Sequence, residues 1–288
     1  MHQPITQTNL KAFQPPPSFA LKLTRWLKRF VIAAVGIYVL LVAGVWSQQE
    51  KLLFHPEPLA ANTTFDLAYT SDVFIDVHNA KLHALYLHQP ADKSKGIVLF
   101  LHGNAGNLET WFTHADFWLS TGYDVLMPDY RGFGKSTGHI DSEAQLNDDV
   151  LRAWQFVAGN YPNKKHVFYG RSLGTGLAAK LATEIQPDLL VLVSPYSSMI
   201  AMAHRYYPWV PSALLRYPLE TDKLLPGINA PILLIHGTQD RTIPIDESEQ
   251  LLKLNPRAKL VVIPGAGHSD IHDFPLYTNT LKQALEAL

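Results

Sequence analysis

Between Phe30 and Trp46 the chain reads FVIAAVGIYVLLVAGVW, seventeen residues without a charge. A helix rises about 1.5 Å per residue, so this run would reach about 26 Å, the short end of what crosses a bilayer core. Beyond it the pattern changes. SQQEKLLFHPEPLAAN is a connector interrupted by Pro56 and Pro58, and DVFIDVHNAKLHALYLHQP predicts two strands around an Asn-Ala turn. Short apolar runs then recur at GIVLFLHG (96–103), YDVLMPDY (123–130), KHVFYG (165–170), LLVLVSP (189–195), PILLIHG (231–237) and KLVVIPG (259–265). They favour β-branched residues and do not alternate with polar ones, as expected of strands covered on both faces. Helical spacing near 107–121, 142–159, 173–185, 246–254 and 276–287 accompanies them. With the first hairpin, these repeated units predict an α/β domain on a mostly parallel eight-stranded sheet with helices on both faces. Residues 196–230, rich in Tyr, Trp, Met and Pro, are too long for an ordinary strand-to-helix loop and predict a small cap insertion.

Charge sharpens the meaning of the first run. Histidine and tyrosine aside, Lys11, Lys22, Arg25, Lys28 and Arg29 are the only ionisable side chains before Glu50, and 24 − 5 = 19 basic and 25 acidic residues follow. Five bases ahead of the span, against Lys51 alone soon after it, predict an uncleaved transmembrane signal anchor over 30–49. The N-terminus is then cytoplasmic and the bulk of the chain periplasmic or extracellular, with the lipid bilayer as a partner through residues 30–49. Trp26 and Trp46 near the two ends suit the membrane interfaces. The lead over 1–29, proline- and glutamine-rich at its start, is expected to be disordered. A net charge of −1 gives no whole-molecule attraction to nucleic acid. The absence of cysteine excludes disulfides, thiolate catalysis and cysteine-based zinc sites.

The candidate chemistry begins at GRSLGTG, Gly170–Gly176, which follows one apolar run and opens a helical pattern. A G-x-S-x-G turn between strand and helix holds its serine, here Ser172, in a strained conformation and projects the hydroxyl from the sheet edge. A Cβ at Gly170 or Gly174 would collide with the neighbouring strand or helix. A serine also needs a base, and the base an orienting partner. Asp240 follows PILLIHG in GTQDRTIP, and His268 follows KLVVIPG in AGHSD. Ser, Asp, His is the order this architecture requires. The expected oxyanion donors are the backbone N–H groups of Leu173 and of Asn104 in HGNAGN. Tyr206, Tyr207 and Trp209 of the cap are expected to form an acyl-binding wall.

Other residues have plainer readings. His102 and His236 finish strands, His272 lies beyond His268, and Asp129 is expected to cap the Arg131–Gly134 backbone. His78, His83 and His88 read as exposed strand residues. HSDIH (268–272) lacks partners at metal-ligand spacing, so no metal is expected. GFGKST (132–137) lacks the glycine of a phosphate loop, since Asp129 stands in its place, so no nucleotide cofactor is expected.

Taken in order, HGNAGN, DYRGFGKSTG, GRSLGTG, SPYSS, HGTQDRTIP and GAGHSD resemble the α/β-hydrolase superfamily over residues 70–288. With the apolar span and LLFHPEP, the chain is similar to a membrane-anchored branch that includes eukaryotic depalmitoylating hydrolases and bacterial relatives. Its core resembles peptidases of the prolyl-oligopeptidase type. The resemblance implies an α/β-hydrolase catalytic domain over 70–288 behind a connector at 50–69, hydrolysis through an acyl-serine, and no cofactor. An apolar cap on a tethered domain favours small-molecule esters or thioesters with an acyl chain. Two readings compete: an amidase or peptidase with a carboxylate that pairs the substrate ammonium, a role the sequence alone does not assign to Glu184, Glu220 or Asp222, and an anchored scaffold with an idle triad. The oligomeric state is left open.

Overall fold

The computed structural model describes residues 19–90 and 93–288, and the chain divides into two units, Met1–Ser47 and Gln48–Leu288. The described part of the first unit is one helix, α1 (Phe19–Ser47). Within its stretch Lys22–Ser47 an 18-residue window has a mean hydropathy of 2.3 and is exposed throughout. By length and composition it could cross a membrane, a test that a signal sequence also passes. The helix begins well before the apolar run. Residues 19–29, expected within a disordered lead, are helical because FALKLTRWLKR is made largely of strong helix formers with no Pro or Gly. Residues 1–18 of that lead lie outside the described residues.

The second unit is built on eight strands: β1 (Thr70–Val77), β2 (Ala80–Leu87), β3 (Gly96–Leu101), β4 (Asp124–Pro128), β5 (Lys165–Arg171), β6 (Leu189–Val193), β7 (Ile232–Gly237) and β8 (Ala258–Ile263). Their order across the sheet is β1-β2-β4-β3-β5-β6-β7-β8. β2 runs antiparallel to both neighbours and every other pair is parallel. Asn79 closes the first hairpin at φ 57, a left-handed conformation that Asn tolerates.

Side chains alternate across each strand, so the unbroken apolar runs fill two cores at once. Ile97, Leu99, Leu101, Phe168, Leu190 and Leu192 face the core that includes residues of the helices Glu143–Ala158 and Leu173–Glu184. Val98, Phe100, Val167, Tyr169, Val191 and Val193 face the other, closed by Trp118, Tyr277, Leu281 and Leu285.

Within the second unit the elements also depart from the sequence pattern. The helix expected over 107–121 is two, Leu108–Trp111 and Ala115–Thr121, because Phe112 leaves the first at ψ 47. His83, expected on the surface, is fully buried; its Nε2 meets Asp72 Oδ1 at 2.6 Å and its ring lies near Phe65 and Phe74. The segment 196–230 is partly core: Tyr196, Tyr217, Leu219, Leu225 and Ile228 are buried, whereas the helix Met199–Tyr206 and the turn after it carry exposed aromatics.

Candidate active site

β5 ends at Arg171, and the chain turns into the helix Leu173–Glu184 through Ser172 at φ 52, ψ −120. Such a backbone costs on the order of 1–3 kcal/mol and persists only where its surroundings force it. Here they do: Ser172 N–H donates to Val193 O at 2.9 Å. A Cβ at Gly170 would lie 2.4 Å from Gly174 O, and one at Gly174 would lie 2.0 Å from Leu101 O. Only glycine lets the helix sit this close to β3 and β5.

Two loops at the same sheet edge complete a relay. His268 Nε2 lies 3.0 Å from Ser172 Oγ, and His268 Nδ1 lies 2.7 Å from Asp240 Oδ2. Asp240 can only accept, so Nδ1 carries the ring proton and Nε2 presents its lone pair to the serine hydroxyl. Asp240 Oδ1 accepts from the N–H groups of Thr242 and Ile243 at 2.9 and 2.8 Å. Behind it His236 is fixed by Ser248 at 2.6 Å and by Ile243 O at 2.8 Å, with Nε2 3.4 Å from Asp240 Oδ2. Burial alone would raise the Asp240 carboxyl. Interactions with His236, His268 and the Ile243 N–H outweigh it and hold the group well below the usual carboxylate range. His236, read from sequence as a strand-finishing residue, thus also supports the carboxylate.

Leu173 begins its helix, so its N–H lies among those left without a partner in the first turn, next to Ser172. Gly103 passes close by, since a Cβ there would lie 3.5 Å from Ser172 Cβ. His102 Nδ1 meets Gly103 O at 2.7 Å, which orients the Gly103–Asn104 peptide. Asn104 is held from the other side. Its Nδ2 donates to Leu53 O at 2.7 Å, and His55 N–H donates to Asn104 O at 2.8 Å. His55–Pro56 pairs in parallel with Ala105–Gly106, Glu57 N–H donates to Gly106 O at 3.0 Å, and Asn107 Nδ2 donates to Glu57 O at 3.0 Å. The connector is therefore a strap across the proposed oxyanion loop. Its upstream end grips the cap segment, where Gln49 Nε2 donates to Leu214 O and Tyr217 OH to Glu50. Nothing in the sequence pattern announces this strap beyond LLFHPEP, where prolines after His55 and Glu57 bias both residues toward extended backbone.

Of the expected acyl wall, Tyr206 OH donates to Thr242 O at 3.0 Å, beside the Asp240 loop, while Tyr207 and Trp209 stand about half exposed on the same segment. Asp129 does not cap the 131–134 turn. Its carboxylate lies between His102 Nε2 at 3.4 Å and His83 Nδ1 at 3.8 Å, because Gly134, at φ 51, brings the turn against it side-on. Burial would raise this carboxyl; the two imidazoles outweigh it and hold it below the usual range. Arg171, also unforeseen, braces the histidine loop through Nη2, which donates to His268 O at 3.0 Å and Ser269 O at 3.1 Å.

Similarity to known proteins agrees with this geometry. A family model described as serine aminopeptidase, S33 matches residues 92–220, and one for the alpha/beta hydrolase fold matches 212–275. An uncharacterised Mycobacterium tuberculosis protein is 31% identical over 252 residues, 83% of this chain and 88% of that protein. Alpha/beta hydrolase domain-containing protein 17C of Homo sapiens is 30% identical over 200 residues, 67% of this chain but 59% of the human protein. An esterase of Pyrococcus furiosus shares the fold with a TM-score of 0.65 at 24% identity, covering 82% of this chain and 97% of the esterase. With its sheet order, strained serine turn and these relatives, the chain belongs to the α/β-hydrolase superfamily.

Proposed function

We propose that the protein is a serine hydrolase that cleaves ester or thioester bonds of acyl substrates through an acyl-serine. We also propose that α1 anchors it in a membrane, with the N-terminus cytoplasmic and the catalytic unit periplasmic or extracellular. The observation that carries the enzymatic reading is the unbroken relay from Ser172 Oγ through His268 to Asp240, at 3.0 and 2.7 Å, on a strained serine. In the reaction His268 Nε2 takes the hydroxyl proton as Ser172 Oγ bonds to the acyl carbon, and the carbonyl π pair moves onto oxygen. The N–H groups of Leu173 and Asn104 receive that oxyanion, aided by the positive end of the helix dipole. Collapse expels the alcohol or thiol, which takes the proton from His268. Water then attacks the acyl-serine, giving its proton to the same nitrogen, and the acid leaves as Ser172 regains its hydrogen. Tyr206, Tyr207 and Trp209 would face the acyl chain.

A peptidase reading is favoured by the description of the matching family model. Against it, Glu184 pairs with Lys180 and Glu220 with Lys223, so the charges of these two candidate ammonium partners are already compensated. A panel of short esters, long-chain esters, thioesters and aminoacyl amides separates the two. The proposal expects kcat/KM for esters or thioesters to exceed that for amides by at least a hundredfold. Preference for aminoacyl amides would overturn it, and no turnover of any class would favour a scaffold.

A further inference from the structure

Arg171 has the strand parity of Tyr169, so it points to the sheet face opposite the helix Leu173–Glu184. There it helps wall a cavity of about 120 Å³ with Phe100, Trp111, Trp118, Tyr169 and His272. The guanidinium belongs to a residue only 8% exposed. Its three hydrogen bonds go to His268 O, Ser269 O and His272 Nδ1, none of them to a carboxylate, and it lies over the Trp111 ring at 5.2 Å. A buried charge is ordinarily paired. Arginine has five N–H donors, so two remain beyond the three used here. Tyr277 also lines the cavity, and its hydroxyl is bonded to that of Tyr169 at 2.6 Å. Two hydroxyls bring two protons, only one of which can lie between the oxygens, so the second can reach an acceptor.

We propose that this cavity binds a small oxyanion, a carboxylate or phosphate group, held by Arg171 and the Tyr169–Tyr277 hydroxyl pair. A water needs roughly 10–15 Å³ of such space, so the cavity has room for phosphate or a short carboxylate. A metal fits the chemistry worse, although His114, His272 and Asp273 place ligand atoms within 4.8 Å of one another. Arg171 donates to His272 Nδ1, so the neutral ring carries its proton on Nε2 and offers a metal no lone pair. Burial and the adjacent Arg171 cation lower the His272 pKa, which favours that neutral form. The site matters for chemistry because the same guanidinium braces the carbonyls of His268 and Ser269. An anion drawn to it acts one residue from the nucleophile and directly on the histidine loop.

Binding is tested on the full-length Ser172→Ala chain in detergent, so the answer does not depend on whether the protein hydrolyses anything. Inorganic phosphate is titrated at ionic strength held constant with chloride, reading tryptophan fluorescence from Trp111 and Trp118 together with Tm. A saturable signal with millimolar or tighter Kd, weakened at least tenfold by adding Arg171→Gln, is expected. Tyr169→Phe with Tyr277→Phe keeps the ring packing and the charge and should weaken binding at least threefold. No saturation below about 20 mM, equal binding with Arg171→Gln or in the double tyrosine variant, or stabilisation by zinc but not phosphate would overturn the site. Wild-type kinetics identify the source of the anion. If it is the substrate's own, a carboxylate-terminated short ester is favoured over its neutral match and phosphate competes with it. If it is a free anion, phosphate changes the rate without competing.

Discussion

At the scale of single residues, the proposed catalysis divides its labour among three side chains, Ser172, His268 and Asp240. Ser172→Ala or His268→Ala should lower kcat by about 10⁶-fold, measured on any ester the wild type turns over, because the triad acts as a unit. Asp240→Asn keeps the volume but no longer selects the Nδ1–H tautomer, and should cost about 10⁴-fold. The same carboxylate makes a prediction in pH. Its pKa in the fold lies below its unfolded value of about 3.9, so its contribution to stability is full above that value and is lost as pH falls through the folded one. The difference in urea midpoint between wild type and Asp240→Asn should therefore shrink as pH falls below about 4. For catalysis, the lowered Asp240 carboxyl stays ionised down to below about pH 4, so protonation of this carboxylate should cost no kcat/KM between about pH 8 and 5.

At the scale of elements, Gly174 and the strap carry the sharpest consequences. Gly174→Ala drives a methyl into Leu101 O and should destabilise the protein by about 3 kcal/mol or more, read as a lowered urea midpoint. Asn104→Ala removes the donor to Leu53 O while keeping the backbone N–H, and should lower kcat about tenfold with KM unchanged. An unchanged kcat would make the strap mere packing. These two elements were not equally legible. The strands could be read because each is covered on both faces, and a continuous apolar run of five to eight residues has few other homes. The serine turn could be read because its glycines and its place between strand and helix are local features. The strap could not, since its grip on residues 104–107 is made by backbone groups, which leave almost no trace in side-chain pattern. His83 reads as an exposed strand residue for a related reason, because the rings beside it, Phe65 and Phe74, are not adjacent to it in sequence. His236 does finish its strand, and its added part behind Asp240 depends on Ser248 and Ile243, which fix its ring.

At the scale of the whole molecule, eleven residues, Gln49 to Leu59, would join a membrane helix to the proposed hydrolytic centre while steadying the loop at Asn104. Under it, the full chain should fractionate with membranes and resist extraction at high salt. Protease added outside intact spheroplasts should remove the catalytic unit, whereas loss only after lysis would invert the orientation. The claim on which the enzymology stands is narrower, and mass spectrometry after treatment with a fluorophosphonate tests it most directly. A phosphonyl adduct is predicted on the peptide bearing Ser172 in wild type, and none there in His268→Ala on the same timescale. An adduct on another serine, or equal labelling of Ser172 without the imidazole, would contradict the assignment.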